Sequence, residues 1–259
     1  INLNTKDHRL ATDIAFQLRE AGRSKRTPNP NSKNLLDGEI VRNDDGSPVK
    51  IPGMFKDVKG IGWYVDIYNR AQISINFNNF KVSTIHDVFD AACLLASERG
   101  IRVTGSELVG LIPLEAMLMA GRHYLNKQNR SLGIPTADIV ECAVQSLGLN
   151  DVTEFDPNMK IIDYAVQSED RPLMNLVGKE FVEELSTNSP APGGGSVSAL
   201  AGALGAALSS MVAALSHEKK ELLDLKPEMN EIGIEAQKLK DRLSFWVDED
   251  TNAFNKVMD

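Results

Sequence analysis

The spacing of apolar residues predicts a first region of mixed helices and strands, and a second region that is wholly helical. After Thr5, which we expect to cap a helix, apolar residues recur every three or four positions until the chain reaches Gly22. The same spacing predicts a second helix, which Thr84 opens together with Asp87 and Gly100 ends. Each helix therefore has one apolar face that a neighbouring layer of structure can cover.

Strand patterns surround these two helices. Residues 60–66 and 71–77 read as strands, and the short turn between them predicts a hairpin. Residues 101–104 read as another strand, and the alternating Ile-Asn-Leu-Asn at residues 1–4 reads as the end of a further one. The order β-α-β-β-α-β is that of the α+β ferredoxin-like arrangement. The polar segment 23–57, rich in proline and asparagine, is expected to be a long loop.

A change of composition at residues 166–178 predicts a linker between a first domain, 1–165, and a second domain, 179–259. Helices are expected at 113–127, 136–147, 157–165, 179–185, 196–216 and 228–259. The second domain therefore reads as the N-terminal part of an all-α helical bundle. Because the chain starts without methionine and stops inside a helical pattern, we expect it to be an internal piece of a longer polypeptide.

The segment 197–215 is uncharged and about long enough to span a bilayer. Its residues are mostly Ala, Gly and Ser, which insert weakly into a membrane, and no aromatic residues flank it. We therefore expect a buried helix of a bundle rather than a membrane helix.

A glycine-rich loop precedes that segment, with prolines at 190 and 192 followed by Gly193, Gly194, Gly195 and Ser196. The glycines allow unusual backbone angles, and Ser196 is placed to cap the helix that follows. Backbone amides at a helix N-terminus can bind an anion or a carbonyl oxygen. The alternative is a flexible linker before a packing helix, and the loop is not a P-loop because no Lys-Ser or Lys-Thr follows the glycines.

The last helix contains a carboxylate on its apolar stripe. Met229, Ile232, Ala236, Leu239, Leu243, Val247, Phe254 and Val257 form the stripe, and Asp250 completes it. A carboxylate there loses water and needs a partner or a raised pKa, either of which suits a general acid or base. The alternative is a structural carboxylate bonded to a neighbouring helix. Asp248 falls on the polar face.

Other candidate contacts lie in the first domain. Glu107 follows a buried strand, where binding residues are common, although an ordinary exposed glutamate gives the same pattern. Gln72, Ser74 and Asn76 share one face of their strand, which could either line a cleft or simply face water.

Composition adds limits on partners. The formal net charge of −8 argues against nucleic acid as a general partner. Cys93 and Cys142 lie in helical patterns without metal-ligand spacing, so we expect reduced thiols in a cytoplasmic protein. No metal site is expected, because the histidines are scattered along the sequence without the spacing of ligand pairs. The histidines are His8, His86, His123 and His217.

Several motifs, taken in order, resemble the formiminotransferase-cyclodeaminase family of folate-dependent histidine breakdown. The run from Pro190 to Leu215 resembles the opening of the family's cyclodeaminase domain. Residues 60–66, 71–76 and 105–113 resemble the C-terminal subdomain of its formiminotransferase half. The likeness covers nearly the whole chain. The histidine that the family uses for formimino transfer lies in an N-terminal subdomain that this sequence does not contain.

The resemblance implies two linked reactions. The formimino group passes from N-formimino-L-glutamate to N5 of tetrahydrofolate, and cyclodeamination then gives 5,10-methenyltetrahydrofolate and ammonia. Tetrahydrofolate, including its polyglutamylated forms, is the implied cosubstrate, without a metal. A cytoplasmic homo-oligomer with no nucleic-acid or membrane partner is also implied.

The resemblance also assigns residues. Asp250-Thr251-Asn252-Ala253-Phe254 matches the family's Asp-x-x-Ala-Phe setting, so Asp250 is the expected catalytic group. Glu107 stands at a substrate-contacting position that is sometimes glutamine. Two alternatives remain: a methenyltetrahydrofolate cyclohydrolase-type enzyme, which would release no ammonia, and a non-catalytic oligomerisation scaffold, which would tolerate Asp250→Asn.

Overall fold

A computed structural model describes residues 1–32, 34–166 and 171–258. The chain is a mixed α and β protein in which helices predominate. It divides into two compact units: the first holds Ile1–Tyr124 and Val140–Ala165, and the second holds Leu125–Ile139 and Val166–Asp259. Of the expected linker at 166–178, residues 167–170 lie outside the described residues.

The described helices are α1 (His8–Leu18), α2 (Ile85–Glu98), α3 (Leu114–Lys127), α4 (Thr136–Ser146), α5 (Pro157–Lys160), α6 (Ile162–Ala165), α7 (Gly178–Leu185), α8 (Gly194–His217) and α9 (Lys226–Met258). The described strands are β1 (Arg23–Ser24), β2 (Lys50–Ile51), β3 (Val58–Val65) and β4 (Arg70–Phe77). The predicted helices are confirmed to within a few residues at most ends. The expected loop at 23–57 contains β1 and β2, which pair with each other.

The first unit is built around the antiparallel pair β3 and β4, in which Gly62 lies opposite Ile73 and Trp63 opposite Gln72. The chain start adds to this pair through a bridge between Asn2 and Gln72. A second bridge joins Leu3 to Val103, so the predicted end strands each make single bridges rather than full ladders.

Helix α1 covers one face of β3 and β4 with its apolar side. Gly62 permits this close packing, because a Cβ there would overlap the backbone of Thr12 in α1. Ala71 and Ile73 face α1 and are buried, whereas Ser74 and Asn76 are exposed. The alternation along β4 therefore sets one face against the core.

Two local expectations are wrong. The cap of α1 is Asp7, whose side chain accepts the Arg9 amide, and Thr5 instead accepts the Asp7 amide. The single helix expected at 157–165 is interrupted at Ile161, which bridges Ile112 in parallel and is fully buried. That bridge takes Ile161 out of the helical ladder. The expected cap at Thr84 is confirmed, since its side chain accepts the Asp87 amide.

In the second unit, α8 and α9 form an antiparallel pair. Small residues bring them together: a Cβ at Gly202 of α8 would lie 3.0 Å from Leu243 of α9, and a Cβ at Gly233 of α9 would lie 3.6 Å from Ala213 of α8. Ser196 is not the cap of α8; Gly193 holds that position, and Ser196 lies fully buried one turn inside.

The expectation that α8 is buried is wrong. Only 22% of its most apolar 18-residue window is buried, and Leu204 and Leu208 are each 59% exposed. The reason is that α9 covers the small-residue side of α8, including Ala199, Ala203 and Ala213. By length and composition alone, α8 is one described helix that could cross a membrane, which is weak evidence for a span.

Candidate active-site residues

The structure brings Asp250 to the N-terminus of α8. The Ser196 amide donates to Asp250 Oδ2 at 3.0 Å, and the Ser196 hydroxyl donates to the Val247 carbonyl at 2.7 Å. Gly195 is needed for this approach, because a Cβ there would overlap the Asp250 carboxylate. Three predicted residues, Gly195, Ser196 and Asp250, therefore lie in contact with one another.

The burial expected for Asp250 is wrong, and Asp248 is the buried carboxylate. Asp250 is exposed, whereas Asp248 is 4% exposed. Asp248 accepts the amides of Leu173 at 2.7 Å and Met174 at 3.2 Å, so it holds that turn against α9. The face of α9 that packs against α8 follows the small residues of α8. The buried residues of α9 are Gly233, Ala236, Val247 and Asp248.

The arrangement around Asp250 suits proton transfer at an open site. Gly193 caps α8, and a Cβ at Gly194 would meet no described atom within 4 Å. The first amides of an α-helix have no acceptor within the helix, and they favour negative charge. A carboxylate held by one such amide, beside open space, can accept a proton from a bound molecule and return it.

A second polar cluster lies in the first unit. Asn2 is 1% exposed and Gln72 is 5% exposed, and the two are opposite each other in the sheet. Within the described part of the chain, both side-chain amide atoms of Asn2, Nε2 of Gln72 and Oε2 of Glu107 are buried without a hydrogen-bond partner. Buried polar atoms in proteins are nearly always bonded, so unsatisfied ones mark a place where a ligand or water can bind.

Glu107 is oriented by its neighbours. The Tyr68 hydroxyl faces its carboxylate, and hydrogen bonding to Glu107, with burial adding, raises the pKa of Tyr68. Sequence reasoning named Gln72 and Glu107 but missed Asn2, although the alternation of Asn2 with the buried Leu3 was a signal.

Asn76 is not part of this cluster. It is exposed, lies four residues after Gln72 on β4, and pairs with Lys59. Four residues of strand span about 13 Å. The same sheet face carries two exposed apolar side chains, Ile61 at 58% and Trp63 at 51% exposed.

The histidines are less scattered than expected. The rings of His86 and His123 stack with centroids 4.3 Å apart, and their ligand atoms lie within 4.8 Å of one another and of an Asp87 oxygen. Two members of this group have hydrogen-bond partners outside it. His123 Nε2 lies 2.9 Å from Asp90 Oδ2, and the Thr84 hydroxyl donates to the Asp87 carboxylate. The group is thus an interlinked polar network between α2 and α3.

A separate cavity of about 340 Å³ lies in the first unit, with Arg102, Gln145 and Asp151 among its polar lining residues. Its lining, in the part of the chain that the structure describes, contains none of the predicted site residues.

Comparison with known proteins identifies the family. Residues 1–167 match the family model of the formiminotransferase domain, and residues 178–259 match that of formiminotransferase-cyclodeaminase. The chain belongs to the formiminotransferase-cyclodeaminase family.

Individual relatives agree with this assignment. The chain is 40% identical to formimidoyltransferase-cyclodeaminase of Dictyostelium discoideum over 98% of its own length and 43% of that protein. It is 35% identical to the mouse protein of that name over 97% of its own length and 42% of the relative. It is also 35% identical to methenyltetrahydrofolate cyclohydrolase of Methylorubrum extorquens, over 30% of this chain and 38% of that protein. The chain thus spans less than half the length of the first two relatives.

Proposed function

We propose that this chain is part of a bifunctional folate enzyme that transfers a formimino group and then cyclodeaminates the product. In the first step, N5 of tetrahydrofolate attacks the formimino carbon of N-formiminoglutamate. The bond from that carbon to the glutamate nitrogen breaks, and glutamate leaves with a proton. Gln72 and Glu107 contact the substrates of this step, and Asn76 contacts a more distant part of them.

The second step uses Asp250. N10 of 5-formiminotetrahydrofolate attacks the carbon of the protonated formimino group, whose nitrogen becomes an amine, and the Asp250 carboxylate accepts the N10 proton. Asp250 then gives that proton to the amine, the carbon–nitrogen bond breaks, and ammonia leaves the 5,10-methenyltetrahydrofolate cation. Gly193, Gly194, Gly195 and Ser196 present backbone amides to the pterin or to a carboxylate of the folate tail. The observation that carries this proposal is the hydrogen bond from the Ser196 amide to Asp250.

The same proposal includes the fold of each domain, the cosubstrate, the oligomeric state and the cellular location. The bridges at Asn2 and Leu3 support a ferredoxin-like sheet in the first domain, and the α8–α9 pair supports a helical bundle in the second. Tetrahydrofolate, including polyglutamylated forms, is the cosubstrate, and no metal takes part. The protein is a cytoplasmic homo-oligomer that binds neither nucleic acid nor membrane.

The test uses the natural full-length protein with tetrahydrofolate and N-formiminoglutamate, and follows glutamate, ammonia and methenyl-folate absorbance together. Asp250→Asn should keep glutamate release and lower ammonia release by roughly 10²–10⁴-fold, the usual contribution of an acid–base group. Asp241→Asn, at an exposed aspartate of the same helix, is the matched control and should change neither.

Each other outcome selects an alternative. Methenyl-folate hydrolysis without ammonia would favour the cyclohydrolase, to which the similarity with the Methylorubrum extorquens enzyme gives some support. If wild type releases neither glutamate nor ammonia, the remaining alternative is the non-catalytic oligomerisation scaffold. Unchanged ammonia release by Asp250→Asn would assign the proton transfer to another group.

A further inference from the structure

Helices α2 and α3 bring together two histidines that are far apart in the sequence. The rings of His86 and His123 stack, and with an Asp87 oxygen they give three ligand atoms that all lie within 4.8 Å of one another. Two ligands of one tetrahedral zinc ion, each bound at about 2.1 Å, are about 3.4 Å apart. The three atoms therefore need to approach one another by no more than about 1.5 Å to bind one ion.

The carboxylate of Asp87 is held in a defined orientation. Its Oδ2 accepts the Thr84 hydroxyl at 2.6 Å, and its Oδ1 lies 4.0 Å from His86 Nε2. That gap is too long for a hydrogen bond, but two bonds of about 2.1 Å to one ion can span it. Thr84 thus fixes one oxygen of Asp87 and turns the other towards His86.

A second carboxylate orients His123. Asp90 Oδ2 lies 2.9 Å from His123 Nε2, and Asp90 Oδ1 accepts the Tyr124 hydroxyl at 3.2 Å. Histidines that bind metals usually bond one ring nitrogen to a carboxylate, which fixes the ring and makes the other nitrogen a better ligand. Because both of its oxygens are engaged, Asp90 is placed to position a ligand rather than to be one.

The ligand chemistry selects the kind of ion. Imidazole nitrogens with a carboxylate oxygen suit zinc, whereas magnesium and calcium prefer oxygen ligands alone. His86 is buried, but the side chains of Asp87 and His123 are 52% and 27% exposed. Water therefore reaches the three ligands and can fill the fourth position of a tetrahedral ion.

We propose that His86, Asp87 and His123 bind a zinc ion that links α2 to α3, and that Asp90 positions His123 for it. The ion stabilises the first unit, because it binds the folded chain in preference to the unfolded one. These residues are not among the proposed catalytic or folate-binding groups, so the inference goes beyond the proposed function. Spacing along the sequence did not predict the site, since its ligands come from two separate helices.

The test measures zinc bound per chain by the natural full-length protein, after treatment with a chelator and removal of that chelator. Wild type should bind one zinc ion more than His123→Gln, and zinc should raise its thermal unfolding temperature by more. Cobalt in place of zinc should give a visible absorption band typical of tetrahedral coordination, which His123→Gln lacks. Asp90→Asn should shift that band and weaken zinc binding by about 10–100-fold, the usual effect of losing such a carboxylate.

His8→Gln is the matched control, since it removes an exposed histidine outside the cluster and should bind as much zinc as wild type. Equal zinc uptake and equal cobalt spectra in wild type and folded His123→Gln would overturn the site. If wild type takes up no zinc from a molar excess, the site is overturned whether or not the variants fold. An unchanged cobalt band and zinc affinity in Asp90→Asn would overturn its positioning role.

Discussion

Asp248 and Asp250 lie two positions apart on α9, but their surroundings differ. Asp248 is buried and accepts two backbone amides, whereas Asp250 is exposed and accepts the amide at the start of α8. Apolar spacing alone predicted the reverse burial. It failed because α8 presents alanine, glycine and serine, so α9 packs against it along Gly233, Ala236 and Val247, while Leu239 stays 44% exposed. The buried face of α9 is set by α8, and the sequence pattern of α9 alone carries no information about α8.

Replacing Asp248 should destabilise the second unit. Asp248→Ala leaves the buried amide of Leu173 unpaired, and we expect a loss on the order of 3 kcal/mol in the free energy of unfolding. Asp250→Asn should cost no more than about 1 kcal/mol, the usual scale of a helix cap. Urea unfolding of both variants checks the difference. Equal losses would mean that Asp248 does not hold the 173–174 turn.

His217 should make stability depend on pH. It is 6% exposed, and within the described residues its Nδ1 has no partner. Burial lowers the pKa of His217 and the Lys226 charge lowers it further, against an opposing effect of Glu218. The unfolded chain, with a pKa of about 6.5, then binds the proton first, so stability is lost as the pH falls below about 6.5.

The measurement is the free energy of unfolding of wild type and His217→Gln between neutral and mildly acidic pH. The variant should lose less stability than wild type as the pH falls. His8→Gln removes an exposed histidine and should follow the wild-type curve. If His217→Gln follows it as well, His217 does not contribute to acid sensitivity.

At the scale of elements, two glycines of α8 should behave differently. A Cβ at Gly195 would overlap the Asp250 carboxylate, whereas one at Gly205, further along the helix, meets no described atom within 4 Å. Because a side-chain end can rotate away, Gly195→Ala should leave stability nearly unchanged but move the carboxylate off the Ser196 amide. We therefore expect a loss of ammonia release of about tenfold or more, as for a displaced acid–base group.

Gly205→Ala is the control for that prediction. It adds the same methyl group to α8 at an exposed position away from the glycine loop, where there is room, and should keep ammonia release close to wild type. The full-length protein and the ammonia assay are used for both variants, with thermal unfolding to show that each is folded. Equal activity of the two would mean that the position of Asp250 is not what the reaction needs.

Elements were predicted better than the contacts between them. Helix spacing and the caps at Thr84 and Gly100 are local properties, and the structure confirms them. The break at Ile161 was not predicted, because it depends on a bridge to Ile112, 49 positions away. The Asn2–Gln72 pair has the same origin: it forms only when the start of the chain bridges β4.

At the scale of the whole molecule, the candidate sites divide between the two units. Gln72 and Glu107 lie in the first, and Asp250 with the glycine loop lies in the second. The sequence predicted these residues mainly through family resemblance, since spacing alone left an ordinary structural role open for each. What spacing could not supply is the state of each side chain: Asp250 is exposed, Gln72 is buried, and Asn76 is exposed four residues after Gln72 on β4.

The exposed stripe of α8 gives the last prediction, which concerns self-association. Leu204, Leu208 and Leu215 are each about 60% exposed and lie on one side of the helix. A contiguous apolar stripe of this kind usually meets another surface, and the proposed homo-oligomer supplies one. The variant with Leu204→Lys and Leu208→Lys should have a lower molar mass in light scattering, at unchanged helix content. Val182→Lys, at an exposed apolar residue on α7, should keep the wild-type mass. If the α8 variant also keeps it, the subunits associate through another surface, because two lysines on the stripe could not be buried without opposing the contact.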